Sequence, residues 1–338
     1  MIDFEYARAS DLADAVRRIA ADPKAKFIAG GTNLVDLMKM DVEQPSLLID
    51  ITRLPLKTVQ ETAGGGLRVG ALVPNSDLAY HPLVEQRYPL LASAILAGAS
   101  QQLRNMASTG GNLLQRTRCA YFYDTTTPCN KRRPGIGCSA IDGLNRGHAI
   151  LGTSDACIAV HPSDMCVVLV ALDAKVHVLG PAGERVIAFA DFHRLPGDTP
   201  DVDTNLKPNE IITAVELPAK GFAANHSYLK IRDRLSYAFA LVSIAAALEL
   251  DGGTIKEVRL GLGGVAHKPW RNTAAEAALR GRPADQQAFA QIADLYLKDA
   301  KGYAHNAFKI DLARRGIIRA LTQAARGTPQ SQSNKKIL

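Results

Sequence analysis

A chain of 338 residues with 47% hydrophobic and 22% charged residues can bury two or three separate cores, and its composition is neither that of a disordered chain nor that of a collagen. Its formal net charge of +7 comes from Lys and Arg scattered among Asp and Glu, which leaves no basic patch for a nucleic acid. No run reaches the ~18 apolar residues that span a membrane, and Met1-Ile2-Asp3-Phe4-Glu5-Tyr6 lacks the basic and apolar regions of an export signal, so neither nucleic acid nor membrane is expected as a partner.

From the N-terminus, Asp3 to Tyr6 reads as a strand, Ser10 to Ala21 as a helix capped by Ser10 or Asp11, and Lys26 to Ala29 as a second strand, a βαβ-like opening. Leu34, Leu37 and Met38 continue at helical spacing, and Leu47 to Ile51 is a buried strand by its apolar and β-branched content. Gly64-Gly65-Gly66 turns the chain into a strand at Leu67 to Gly70, and Tyr88 to Gly98 has the pattern of an amphipathic helix, which opens a second α/β subdomain. From Thr117 to Cys157 the periodicity gives way to Gly, Pro, Asn, Thr and basic residues, a stretch that something other than an apolar core must order. Beyond it come a helix at Met165 to Leu172 capped by Ser163 or Asp164, a strand at Lys175 to Leu179, a polar connection from Pro196 to Pro208, and a strand at Ile211 to Leu217. After a linker around Ala219 to Asn225, Ser227 to Lys230, Ala238 to Glu249 and Lys256 to Leu262 read as strand, helix and strand, and residues 327–338 as a disordered tail by their Ser, Gln, Asn and Lys content. There is no internal repeat.

Two segments carry chemistry. Ala29-Gly30-Gly31-Thr32-Asn33-Leu34 follows a strand and opens a helix, and Ser108-Thr109-Gly110-Gly111-Asn112 repeats its residue types; glycine lets backbone N–H groups approach an anion such as a pyrophosphate. Neither is the G-x-G-x-x-G fingerprint or a Walker loop, and together they could clamp one extended cofactor. The five cysteines cluster at 119, 129, 138, 157 and 166. The first four are separated by nine, eight and eighteen residues without a C-x2-C pair, which disfavours a zinc ribbon. An iron-sulfur cluster, zinc, and unligated or disulfide-bonded thiols all remain open on spacing alone. Cys166 lies in an apolar run and reads as a packed core thiol.

The stretches AGGTNLVDLMK (29–39) and ASTGGNLLQRTRC (107–119) resemble the two flavin-clamping loops of the FAD subunits of the xanthine dehydrogenase family of molybdenum hydroxylases. His161-Pro162-Ser163-Asp164-Met165, Tyr228-Leu229-Lys230 with Ser236 to Val242, and Gly261 to Arg271 resemble three further motifs of that family. The likeness covers about residues 1–325 and is nearest to the flavin subunits of bacterial periplasmic aldehyde oxidases, while 4-hydroxybenzoyl-CoA reductase carries a comparable cysteine insert.

This resemblance implies an α+β fold: an FAD-binding domain of two subdomains (PCMH/vanillyl-alcohol-oxidase type) over 1–220 with an iron-sulfur insert at about 117–157, then a CO dehydrogenase flavoprotein-like domain over 225–326. It assigns Lys26, Phe27, Ile28, Ala29, Gly30, Gly31, Thr32, Asn33 and Leu34 to the FAD pyrophosphate and ribityl chain, with Ser108, Thr109, Gly110, Gly111 and Asn112 on the opposite side. Asp164 matches a carboxylate that hydrogen-bonds the flavin's polar chain, Lys230 a lysine at the electron-rich edge of the isoalloxazine, and Ile212 a residue packed on the ring. By the same resemblance Cys119, Cys129, Cys138 and Cys157 hold a [4Fe-4S] cluster, and no catalytic residue is assigned in this chain. It would be the electron-transfer subunit of a heterotrimeric, molybdenum-dependent aldehyde oxidase or dehydrogenase, receiving electrons from a small [2Fe-2S] subunit beside a molybdopterin-binding large subunit and passing them to dioxygen or another acceptor. Its compartment would be the periplasm, by co-export with a signal-bearing partner, or the cytoplasm. The rival readings are a self-contained flavin oxidase and a zinc-binding scaffold subunit.

Overall fold

The computed structural model describes residues 1–332; residues 333–338, the end of the expected tail, lie outside the described residues. The chain opens with β1 (Glu5–Arg8), α1 (Leu12–Ala21), β2 (Lys26–Ile28), α2 (Leu34–Lys39) and β3 (Leu47–Asp50). Asp11 caps α1 by accepting from the Asp14 amide at 2.8 Å, and β3 lies parallel between β1 and β2, which is the βαβ-like opening that the sequence predicts.

The second subdomain takes up β4 (Val59–Glu61), β5 (Leu67–Gly70) and the helices α3 (Asn75–Ala79), α4 (Pro82–Arg87), α5 (Pro89–Ala97), α6 (Gln101–Met106) and α7 (Thr109–Leu113). After the cysteine segment, whose one helix is α8 (Ala120–Tyr123), come α9 (Asp164–Ala171), β6 (Lys175–Gly180), β7 (Gly183–Ala188), α10 (Phe189–Phe192) and β8 (Ile211–Leu217). The five strands form one sheet in the order β4-β5-β8-β6-β7. The amphipathic pattern expected at Tyr88 to Gly98 is not what the fold uses. Leu90, Leu91, Ala92, Ala94, Ile95 and Ala97 are all buried, because α5 packs against α9 on one side and against the last sheet on another.

That last sheet is β9 (His226–Ile231), β10 (Val242–Asp251) and β11 (Thr254–Gly263), antiparallel in the order β11-β10-β9, followed by α11 (Thr273–Ala277), α12 (Gln286–Leu297) and α13 (Phe308–Ala325). The helix expected at Ala238 to Glu249 is therefore a strand. Alanine favours a helix in isolation, but Ala245, Ala246 and Ala247 sit in a central strand paired on both edges and buried on both faces, with α13 on one face and α5 and α9 packed against the strand as well. Small side chains let those helices approach, and tertiary context overrides propensity. Two large apolar clusters result, one through both N-terminal subdomains and one under the last sheet. Ile150 and Leu151 of the cysteine segment belong to the second, so that segment is fastened to the C-terminal unit. No helix among the described residues is long and apolar enough to cross a membrane.

Candidate functional site

The two glycine loops meet edge to edge. A Cβ on Gly30 would lie 1.8 Å from the Met106 carbonyl oxygen, so glycine is required there for one loop to approach the other. Gly31, with φ of 71°, is the left-handed residue that turns the chain into α2, where a side chain would be strained. Residues 27–34 are all half-buried, and Lys26 is exposed, 3.6 Å from Glu43.

The loops treat their backbone differently. Among the described residues the amides of Gly30, Gly31, Thr32 and Asn33 donate to no protein acceptor. In the second loop the amides of Thr109 to Asn112 are used: Thr109 donates to Val73 O (2.9 Å), Gly110 to Ala71 O (2.8 Å), Gly111 to the capping Ser108 Oγ (3.2 Å) and Asn112 to Ser108 O (2.9 Å). The amides of Thr109 to Asn112 are therefore not free to meet an anion, whereas the first loop keeps four that are. The second contributes side chains. Asn112 Nδ2 donates to Asn75 Oδ1 (2.7 Å) and its Oδ1 accepts from Ser163 Oγ (2.5 Å). Asn33 Oδ1 accepts from the Arg116 amide (2.8 Å). The buried Nδ2 atoms of Asn33 and Asn75 have no partner in the protein, and such donors cost free energy unless a ligand or water satisfies them.

Asp164 and Lys230, which the sequence reading assigns to separate parts of a flavin, are one buried ion pair. Lys230 Nζ donates to Asp164 Oδ2 (2.7 Å) and to Ala97 O (3.2 Å), while Tyr228 OH donates to Asp164 Oδ1 (2.7 Å). The Asp164 carboxylate and burial push the Tyr228 hydroxyl well above its usual range, burial being the larger effect. Asp164 lies in the first turn of α9 after the Ser163 cap, and Lys230 near the end of β9, so the pair spans the two units. Ile212 is buried on β8 beneath α7, its Cβ 3.6 Å from where a Cβ on Gly110 would be.

The cysteine segment draws Cys119, Cys129, Cys138 and Cys157 around one cavity. Cys129 and Cys138 face each other across an antiparallel bridge, and Cys157 pairs with Ser154 in another; none is in a disulfide. Burial pushes the thiol of Cys119 up to about 11 and that of Cys157 up to about 12. Cys166 lies fully buried in α9, away from this cavity. The basic residues nearby are not a solvated fringe. Arg116 pairs with Glu43 (2.7 Å) and Asp203 (2.5 Å), the buried Lys131 pairs with Asp203 and donates to Pro200 O (2.8 Å), and Arg132 donates to the carbonyls of Tyr121 and Phe122. Burial opposes ionisation of Asp203, but Lys131, Arg116 and His267 outweigh it and hold the carboxyl down at about 2.

Several residues here escape the sequence reading. His148, which no motif marks, has its Nε2 3.1 Å from Cys119 Sγ. Lys309 of α13 is buried and donates to the carbonyls of His148 (2.7 Å) and Gly264 (2.6 Å), and Asn306 holds those of His148 and Ala149. Asn75 has no signal beyond following a proline, whereas Arg116 stands inside the second motif and could have been included.

Residues 2–220 match the FAD binding domain in molybdopterin dehydrogenase, and residues 227–324 the CO dehydrogenase flavoprotein C-terminal domain. The chain is 51% identical over 322 residues to the aldehyde oxidoreductase FAD-binding subunit PaoB of Escherichia coli (strain K12), covering 95% of this chain and 98% of that protein. It is 28% identical to the glyceraldehyde dehydrogenase medium chain of Sulfolobus acidocaldarius over 86% of each. The solved carbon monoxide dehydrogenase of Hydrogenophaga pseudoflava contains a similar chain, with a TM-score of 0.75 at 27% identity over 97% of this chain and 99% of that one.

Proposed function

Since this chain belongs to the FAD-binding subunits of the molybdopterin dehydrogenases, we propose that it is the flavin- and [4Fe-4S]-carrying electron-transfer subunit of a molybdenum-dependent aldehyde-oxidising complex. The partners on this reading are a molybdopterin-binding large subunit and a small [2Fe-2S] subunit.

The observation that carries the flavin assignment is the set of unpartnered donors at the meeting of the loops: four free amides from Gly30 to Asn33 and the buried Nδ2 atoms of Asn33 and Asn75. A pyrophosphate with its polar chain supplies acceptors for such donors. Lys26 to Leu34 would hold that part of FAD, with Ser108, Thr109, Gly110, Gly111 and Asn112 forming the facing wall and Ile212 supporting it from below. Bound FAD would supply a store for two electrons that can be filled one at a time. Lys230, fixed in place by Asp164 and Ala97 O, would keep a cation near the ring to stabilise negative charge there, and Asp164 would act by orienting that lysine.

For the cysteine cavity the donor set and its width favour a cluster over zinc. A tetrahedral zinc with bonds of about 2.3 Å holds its sulfurs roughly 3.8 Å apart, yet the one group of three or more His, Cys, Asp or Glu ligand atoms within 4.8 Å of one another among the described residues does not include these cysteines. Four thiolates spaced more widely suit a cubane, and Cys119, Cys129, Cys138 and Cys157 would each ligate it.

An anaerobic experiment tests the reading. Aromatic aldehyde mixed with the isolated, flavin-loaded chain should leave the yellow absorbance intact, and addition of the partner subunits should bleach it. Rapid bleaching of the isolated chain would instead mark a self-contained oxidase, and a preparation with zinc but no iron would mark a scaffold.

A further inference from the structure

Behind the second glycine loop, two imidazoles and a thiol converge at a point that neither the clamp nor the cysteine ring uses. One ring nitrogen of His161, one of His193 and Cys166 Sγ lie within 4.8 Å of one another; His193 and Cys166 are buried and His161 is half-buried. Some point then lies within about 2.8 Å of all three, close to zinc bond lengths of about 2.0–2.3 Å, so small side-chain rotations suffice for ligation.

The surroundings of this group are those of a ligating set. Both rings are held by the same acceptor, with the Nε2 atoms of His161 and His193 at 3.4 and 2.9 Å from the Leu113 carbonyl and the ring centroids 4.2 Å apart. With Nε2–H donated to that carbonyl, each lone pair sits on Nδ1. His193 Nδ1 is buried with no partner, while His161 Nδ1 accepts from the Ser163 amide at 3.4 Å, a bond that ligation through that nitrogen would replace. A backbone carbonyl that takes the outer N–H of an imidazole is the usual device for fixing tautomer and ring orientation around a metal. Of the three, His161 also lines a cavity shared with Ser163, Phe239 and Gly264.

We infer that His161, His193 and Cys166 form a second metal site, distinct from the four-cysteine ring, for a divalent cation of borderline softness, with zinc the best match to its two nitrogens and one sulfur. Ligation replaces the thiol proton, which is released to solvent, and leaves a single net positive charge that the nearby Asp203 carboxylate offsets in part. The ion would brace three segments that support the glycine loop: Leu113 through the two imidazoles, the N-terminal turn of α9 through Cys166, and the end of α10 through His193.

The inference does not depend on the flavin or cluster assignments, and the test keeps them apart. The full chain purified with its flavin and iron is incubated with Zn2+, desalted over a chelating resin, and assayed for zinc and iron together. One zinc per chain beyond the iron is expected, with a zinc-edge absorption spectrum showing nitrogen and a single sulfur. Cys166→Ala and His193→Gln should each lose that zinc and keep the iron, whereas Cys129→Ala should lose iron and keep the zinc. Thermal melting of each variant in chelator shows whether it is folded. The inference is overturned if the wild-type chain holds no zinc beyond background, if zinc persists in folded Cys166→Ala or His193→Gln, or if it disappears with Cys129→Ala.

Discussion

The two candidate sites share a wall, since the Arg116 amide that follows the second glycine loop donates to Asn33 of the first, yet they are built in opposite ways. The clamp is delivered by regular elements: β2 carries the first loop, and α7, pinned by its own amides to the Ala71 and Val73 carbonyls, carries the second. Its geometry follows from the fold, and only a few donors are left over for a ligand. The cysteine segment has one short helix in about forty residues, and its path is held by long-range polar staples. Lys309 and Asn306 reach in from the C-terminal unit, Ile150 and Leu151 dock on Val265, and Lys131 and Arg116 share Asp203. A site framed by secondary structure should survive loss of its ligand, whereas one framed by staples and thiols should depend on it.

The sharpest break in that contrast comes from the thiols. Serine at Cys119, Cys129, Cys138 or Cys157 should remove nearly all iron while the FAD to protein ratio stays near one, and Cys166→Ser should change neither. Iron and flavin analysis of five variants decides it, and loss of flavin along with iron would show that the two sites are not separately framed. Next is Gly30→Ala. With 1.8 Å between the new methyl and Met106 O the loops must part, which should lower FAD occupancy at least tenfold and cost about 2–3 kcal/mol of stability. Gly111→Ala meets only Ser108 Oγ at 2.8 Å and should cost about 1 kcal/mol through the cap, with most flavin retained after desalting.

The same contrast explains what could be read from the sequence. The strands around the clamp stand near where β-branched and apolar runs place them, and Ile211–Leu217 begins and ends as expected. The glycine motifs point to two loops that the fold brings together. What they cannot convey is that the second loop spends its amides on the neighbouring backbone, because Ala71 and Val73 are nearly forty residues away with no pattern linking them. The strand at Val242–Asp251 fails for a related reason: its alanines say helix locally, and only the helices packed around it say strand. The helix α12, by contrast, carries Phe289, Ile292, Ala293 and Tyr296 at helical spacing after an Asp285 cap, a legible signal that the reading passes over. In the cysteine segment the clustering of thiols marks the four that line one cavity, but Lys309, Asn306 and His148 act from positions no motif marks.

A third expectation concerns the staples. Asp203→Asn removes the partner of the buried Lys131 and should destabilise by about 3 kcal/mol, the usual cost of stranding one member of a buried pair. Because the folded carboxyl sits at about 2, below its ordinary 3.8, its contribution is present above about pH 4 and is lost as pH falls through about 2. Urea titrations of both proteins should therefore differ more at pH 7 than at pH 2, and an equal difference at both would assign the loss to something other than charge.

The smallest effect should come from His148. Its Nε2 lies 3.1 Å from Cys119 Sγ, and its backbone carbonyl is held by Lys309 and Asn306, so the ring cannot drift away. Burial lowers its basicity to about 4, which keeps it neutral at pH 7 with one proton to place. If that proton is on Nε2, it donates to a thiolate and stabilises the more negative, reduced state of a cluster. A leucine at this position keeps much of the packing and removes the donor, so iron content should be unchanged while the reduction potential falls. A hydrogen bond to a charged group contributing differentially on the order of 1 kcal/mol corresponds to roughly 40 mV for one electron. Redox titration followed by electron paramagnetic resonance reads this directly. An unchanged potential with full iron would mean that the ring presents its other tautomer to the sulfur, or that Cys119 is not on the cluster, and the Cys119→Ser iron content separates those two cases.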